Sequence, residues 1–205
     1  MNMFSVFFKG GFMMIPIVLA SILGLAIFFE RYSILKTNKK ASLSSMKYIR
    51  NFLDQKKIKE AYQFCISNPC SITNILKNAL KNHQKSYQFI KDSIESTGKL
   101  EVARLEQNLN ILYTIATVSP LMGFLGTVIG MLKAFQKIAA LGSGVNASIL
   151  AGGIWEALIT TIAGLVVGIP LLIAYNYLVA KIDHFVLGLE ENSIELIDLI
   201  EDYRN

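Results

Sequence analysis

The stretch that decides the fold is EALITTIAGLVVGIPLLIAYNYLVA, residues Glu156–Ala180. One carboxylate is followed by 24 uncharged residues before Lys181. At about 1.5 Å of rise per residue, a helix of that length exceeds the roughly 30 Å hydrocarbon core of a bilayer. The run also holds threonines, glycines, a proline and Asn176 at helical spacing. It therefore predicts a transmembrane helix with one face turned toward protein or water.

Two further charge-free runs are long enough to span a membrane, Gly10–Phe29 with 20 residues and Gln107–Leu132 with 26. A fourth uncharged stretch, Ile138–Trp155, is rich in glycine and polar residues and is interpreted as a turn. The composition, 53% hydrophobic and 17% charged, agrees with membrane burial. The sequence predicts an all-α membrane protein with three transmembrane helices, the second and third extended into a cytoplasmic helical domain.

The distribution of basic residues predicts the orientation of the spans. Of the 20 Lys and Arg residues, three lie before residue 10 or in the loop after residue 132, and the other 17 lie on the opposite side. Positive-inside counting then places the larger group in the cytoplasm. The predicted segments are a periplasmic N-terminus (1–10), transmembrane helix 1 (11–29), a cytoplasmic helical region and stalk (30–106), transmembrane helix 2 (107–132), a periplasmic turn (133–156), transmembrane helix 3 (157–180) and a cytoplasmic C-terminal helix (181–205). The first span is followed by Glu30-Arg31 rather than a cleavage site, so we expect it to stay in the mature protein.

Helical periodicity organises the charged segment between spans one and two. Apolar residues recur at spacings of three and four over Ser44–Cys65, and Asn68-Pro69 ends that pattern. A short helix over Ser71–Asn82 follows, and then one long helix from Ser86 that no proline interrupts before Pro120. Residues 30–106 carry a net charge of +8 and residues 181–205 one of −5, which predicts that the tail packs against this segment.

Two stripes of small residues are the most informative pattern in the spans. On span two the stripe comprises Ala116, Pro120, Gly123, Thr127, Gly130 and Ala134, and on span three Ala157, Thr161, Gly164, Gly168 and Tyr175. One interpretation is close helix packing of the small-xxx-small kind, as at Gly126/Gly130 and Gly164/Gly168. The other is a hydrated interior lined by the threonine hydroxyls. The two interpretations are compatible.

Nothing in the sequence resembles an enzyme site, a metal site or a cofactor site. Cys65 and Cys70 lack zinc or thioredoxin spacing, and no basic patch carries the interleaved aromatic residues typical of nucleic-acid binding. No Asp, His, Lys or Arg lies within the three spans, and Glu156 stands at the edge of the third. Hydroxyls can orient water but cannot store a proton's charge. If protons cross here, a partner must supply the titrating carboxylate.

The paired motifs SPLMGFLGTVIGMLKAF and GGIWEALITTIAGLVVGIPLLIAYNYL resemble the MotA/TolQ/ExbB proton-channel family, over residues 107–180. Three spans with a large first loop resemble its ExbB/TolQ branch. The resemblance implies a homo-pentamer in the bacterial inner membrane around a dimer of an ExbD/TolR-like single-span partner that carries the titrating Asp. It further implies proton flow that drives mechanical work on a TonB/TolA-like envelope protein.

By motif position, the resemblance assigns Thr127, Thr161 and Glu156 to the proton pathway. Thr160 adds a hydroxyl where the family commonly has alanine, and we place it beside them. We assign helix packing to six residues: Pro120, Gly123, Gly126, Gly130, Gly164 and Gly168. Whether the role is that of ExbB or of TolQ stays open, and a non-conducting structural scaffold of a membrane complex is the alternative function. A small-solute transporter is disfavoured, because three spans leave no room for an inverted repeat.

Overall fold

The computed structural model describes residues 10–141 and 147–204, with the side chains of 10–140 and 150–197, and every regular element within them is an α-helix. Within that part of the chain the helices are α1 (Met14–Asp54), α2 (Ile58–Ser67), α3 (Ser71–Lys81), α4 (Tyr87–Leu105), α5 (Leu109–Leu141) and α6 (Ala147–Arg204). Three helical stretches are long and apolar enough to cross a membrane: Met14–Asp54, Tyr87–Ala140 and Leu150–Ile197. The predicted all-α membrane fold with three spanning helices is confirmed.

Two helices predicted as continuous are interrupted. The pattern over Ser44–Cys65 breaks after Asp54, where Lys56 has a φ of 59°. The long helix predicted from Ser86 breaks between α4 and α5, where Asn108 has a φ of 64°. Both angles lie in the left-handed region, which ends a right-handed helix. Periodicity misses such breaks because the apolar face resumes directly after them.

The glycine-rich stretch Ile138–Trp155, interpreted from the sequence as a turn, is helical at both ends. Helix α5 continues to Leu141 and α6 begins at Ala147, while 142–146 lie outside the described residues. Gly153 serves close packing here, since a Cβ on it would collide with the Cβ of Ala134. Glycine content predicts a turn only where no neighbouring helix requires the glycine for contact.

The chain divides into two compact units, which we describe separately. The membrane unit comprises Met1–Phe29 and Asn108–Tyr177, and the charged unit comprises Glu30–Gln107 and Leu178–Asn205. In the membrane unit, large apolar side chains point outward, with Phe124 65% and Val166 66% exposed. A bilayer supplies the apolar surroundings that such faces require.

The core of the charged unit centres on α3. Its buried face consists of aliphatic residues at helical spacing, namely Ile72, Ile75, Leu76, Ala79 and Leu80. Polar contacts fix α3 to α4: the amide of Asn78 donates to the hydroxyl of Thr97 at 3.0 Å, and that of Asn74 donates to the Glu101 carboxylate at 3.1 Å. The helices of this unit bury an apolar face and carry polar residues on the opposite face, as amphipathic helices of globular domains do.

The C-terminal tail packs within the charged unit, as its opposite charge predicts. Arg50 of α1 forms an ion pair with Glu195 of the tail. Leu196 and Ile197 beside it are buried. A cavity of about 500 Å³ is lined by residues of α4 and of the tail, among them Ile94 and Leu189. Apolar contact and charge therefore both join the tail to residues 30–106.

A buried arginine holds the end of α4. Arg31 is 5% exposed, and its guanidinium donates to the Glu30 carboxylate at 2.5 Å and to the carbonyl of Arg104 at 3.4 Å. That carbonyl belongs to the last turn of α4, where free carbonyls and the helix dipole favour a cation. Arg31 therefore stabilises the end of α4 beside the break at 106–108.

Candidate functional site: the crossing of α5 and α6

The centre of the crossing is backbone against backbone. A Cβ added to Gly164 would lie 2.5 Å from the carbonyl oxygen of Ser119 and 3.1 Å from the Cα of Gly123. A Cβ added to Gly123 would lie 2.8 Å from the carbonyl oxygen of Thr160. Real Cβ atoms essentially never come within 3.0 Å of a backbone atom, so the two helices meet at a distance that only glycine permits.

The contact continues in both directions from that centre. Toward one end, a Cβ on Gly168 would lie 2.5 Å from the ring of Pro120. Toward the other end, Gly126 faces the side chain of Thr160, and a Cβ on Gly130 would lie 3.1 Å from that of Ala157. The structure thus brings all six predicted packing residues to one crossing.

The threonine hydroxyls have different surroundings. The hydroxyl of Thr161 donates across the crossing to the Gly123 carbonyl at 3.1 Å. Thr160 is 1% exposed, and its hydroxyl donates to Ala157 of its own helix at 2.7 Å. The half-buried Thr127 donates to the Phe124 carbonyl, also in its own helix, at 2.6 Å. Among the described hydrogen bonds, none joins Thr127 to Thr161.

Glu156 lies at one end of the crossing and has contacts that the sequence did not predict. Its carboxylate is 3.2 Å from the Nζ of Lys133 on α5. The turn before α1 also approaches it, because a Cβ on Gly11 would collide with its Oε1. Sequence reasoning used Lys133 only to count charge. Both residues lie inside the two quoted motifs, but no local sequence pattern pairs them.

The crossing can align hydroxyls and one carboxylate along two packed helices, but it holds no carboxylate midway. The charged residues among the described part of the membrane unit are Lys133, Lys137 and Glu156, all toward one end. The helix interior also lacks backbone donors at Pro120 and Pro170. The carbonyls left without these donors and the threonine hydroxyls can accept hydrogen bonds from water.

The chain is similar to known membrane proteins of one class. Residues 69–191 match the MotA/TolQ/ExbB proton channel family. The chain is 33% identical over 190 residues to an ExbB-like protein of Synechocystis sp., covering 87% of this chain and 73% of that relative. It is 34% identical over 134 residues to an ExbB homolog of Methanothermobacter thermautotrophicus, covering 65% of this chain and 44% of that relative.

A further relative is the Tol-Pal system protein TolQ of Pseudomonas aeruginosa, 28% identical over 182 residues, or 82% of this chain and 77% of that protein. The chain therefore belongs to the MotA/TolQ/ExbB proton channel family, and within it to the ExbB/TolQ branch. It is a multi-pass inner-membrane protein of a family of transport-associated channel subunits rather than of enzymes.

Proposed function

We propose that this chain is the channel subunit of an inner-membrane motor that converts proton-motive force into mechanical work. Several copies, five by family resemblance, surround an ExbD/TolR-like single-span partner that carries the titrating Asp. The work is done on a TonB/TolA-like envelope protein, in biopolymer transport or envelope maintenance. The observation that carries the proposal is the α5–α6 crossing, where both family motifs face each other and Thr161 bonds across.

The need for a partner follows from the charges of the membrane unit. A proton carrier must bind a proton on one side and release it on the other, and the described spans offer only hydroxyls between their ends. Ionisable groups inside a membrane are costly and face a protein interior or a wet cavity. A carboxylate on a central partner satisfies both requirements. Thr161, Thr160, Thr127 and Glu156 would then line its path.

The proposed orientation places the N-terminus in the periplasm and residues 30–106 with the C-terminus in the cytoplasm. It rests on the basic asymmetry of 17 residues against three. An impermeant thiol reagent added outside intact cells should label a cysteine at Ser143 and miss one at the exposed Lys57. The reverse labelling pattern would refute this orientation.

A scaffold without conduction is the second candidate, and one observation favours it. The Thr161 hydroxyl already has a structural partner in the Gly123 carbonyl, so packing alone accounts for its presence. The two functions predict different behaviour at this position. Thr161→Val keeps the shape and removes the hydroxyl, whereas Thr161→Ser keeps the hydroxyl and removes a methyl.

The deciding experiment measures proton flux in liposomes containing the chain and its single-span partner. We expect Thr161→Val to assemble but to lose flux about tenfold or more, which is a barrier change of about 1.4 kcal/mol per factor of ten. Assembly should survive because one hydrogen bond in a membrane is worth only about 0.6 kcal/mol on average. Thr161→Ser should retain part of the flux.

The matched control is Thr114→Val, since Thr114 is exposed on α5 and its hydroxyl bonds its own helix at 2.8 Å. It should conduct like the wild type. If Thr161→Val conducts fully while Thr161→Ser is the weaker variant, the hydroxyl has no part in conduction and the scaffold function is preferred.

A further inference from the structure

The end of the crossing carries an ion pair that joins the two motifs, and the sequence does not predict this pairing. Of the three charged residues in the described membrane unit, Lys133 and Glu156 lie 3.2 Å apart, on different helices. The third, Lys137, lies one turn beyond Lys133 on α5 and is exposed. The described contacts thus select one of two neighbouring lysines as the partner of Glu156.

The turn before α1 closes over the same carboxylate. Gly11 has a φ of 68°, a conformation that favours glycine, and a Cβ there would collide with Glu156 Oε1. Two independent restrictions therefore keep position 11 without a side chain. Glu156 is confined by an ammonium on one helix and by a backbone turn.

Behind the ion pair lies a small cavity of about 30 Å³. Its walls include Lys133 and Glu156, and it reaches Gly126 and Thr160 of the crossing. Such a volume suits a single water molecule when polar groups line it. The Glu156 carboxylate thus borders a space in which a water molecule would also contact Gly126 and Thr160 of the crossing.

We propose that Lys133 is the positioning residue for Glu156, holding its carboxylate over this cavity at the entrance to the crossing. The inference rests on the proposed function, because it gives Glu156 a place in proton entry. The side chain of Lys133 is 50% exposed and that of Glu156 is 31% exposed. A pair so exposed adds little stability, and we expect that without Lys133 the carboxylate turns toward bulk water. The expected loss is therefore in flux, with assembly retained.

The test is a charge rescue at position 133 in the complex of this chain with its single-span partner, in liposomes. Lys133→Cys should assemble and conduct about fivefold less than the wild type, because misplacing one group in a reaction path costs rate rather than assembly. Alkylation with 2-bromoethylamine expels bromide and forms a thioether that ends in an ammonium, close to lysine in length. It should restore most of the flux. Iodoacetamide, which leaves a neutral amide, should not.

Two controls define the outcome. Lys137→Cys should conduct like the wild type before and after either reagent. The wild-type complex should be unaffected by both reagents, since Cys65 and Cys70 are buried. Lys133→Arg and Lys133→Gln compare a charged with a neutral side chain at this position without chemical modification. Only the Arg variant should retain the flux.

The results separate this inference from the proposed function. A wild-type complex that fails to conduct overturns the proposed function and this inference with it. If the wild type conducts and Lys133→Cys conducts equally, or recovers equally with the neutral reagent, only the role of Lys133 is overturned.

Discussion

The α5–α6 crossing and the α3–α4 core join helices by opposite means. At the crossing, Gly164 and Gly123 bring backbones into contact. In the charged unit, Leu76 and Ile72 are 1% exposed and fill the space between helices with side chains. One pair of helices therefore packs through glycines that let the backbones touch, and the other packs through large side chains that fill the space between the helices.

The difference follows from the solvent around each region. In water, burying aliphatic groups drives helices together at about 25 cal/mol per Å². In lipid, the chains outside are as apolar as leucine, so association depends on close contact and hydrogen bonds. The two regions should consequently respond differently to a change in side-chain size. Larger residues should destabilise the crossing, and smaller residues should destabilise the core of the charged unit.

The largest effect is expected from Gly164→Leu. Its side chain would enter the space of the Ser119 carbonyl and the Gly123 backbone, neither of which is a flexible side-chain end. We expect the proposed oligomer to be lost in size-exclusion chromatography in detergent. Gly152→Leu is the control on the same helix, because a Cβ there meets nothing within 4 Å. A Gly164→Leu oligomer of normal size and stability would contradict packing at this crossing.

A smaller effect, of the opposite kind, is expected from Leu76→Ala. Removing a buried leucine leaves a cavity and costs about 2–5 kcal/mol. The midpoint of thermal unfolding should fall, while Leu100→Ala should leave it unchanged because Leu100 is 61% exposed. Equal midpoints for the two variants would show that the charged unit is not held by aliphatic burial.

The smallest effect concerns the thiol of Cys65, which reports whether water enters the charged core. Burial, with a contribution from the neighbouring Cys70, raises the pKa of Cys65 from 9.0 to about 12. Since the thiolate is the reactive form, maleimide should label it slowly at neutral pH and only slightly faster near pH 9. Lys57→Cys, at an exposed position, should label quickly.

The sign of the associated stability change follows from the raised pKa. The folded state favours the neutral thiol, so this contribution is fully present below about pH 9 and is lost as pH rises toward 12. Fast labelling of Cys65 in the native protein would mean that the core of the charged unit opens readily.

Much of the fold could be predicted because its signals are local. Charge-free runs predicted the spans, and Ser86 and Ser71 correctly indicated where α4 and α3 begin. The breaks at Lys56 and Asn108 could not be read from periodicity, since a left-handed residue leaves the apolar face on either side unchanged. Helix α1 likewise continues past the predicted end of span one, because no breaker follows Phe29.

The site was predictable in its residue types but not in its pairings. Small-residue stripes predicted that α5 and α6 meet, but not that Thr161 bonds Gly123 while Thr127 bonds its own helix. A stripe of small residues predicts which face of a helix makes the contact. It does not predict how the two helices are rotated about their axes or how closely they approach. The approach of Gly11 to Glu156 joins positions distant in sequence, so no local pattern contains it.

The glycine contact of α5 with α6 also has a thermal consequence. Unfolding that exposes apolar surface to water carries a large positive heat capacity, which weakens hydrophobic packing on cooling. Helices that separate within lipid expose little surface to water, so the contact at Gly123 and Gly164 has almost no such heat-capacity contribution. The charged unit should therefore soften in the cold while the crossing keeps its strength, which makes the membrane-embedded contact the cold-resistant part of this protein.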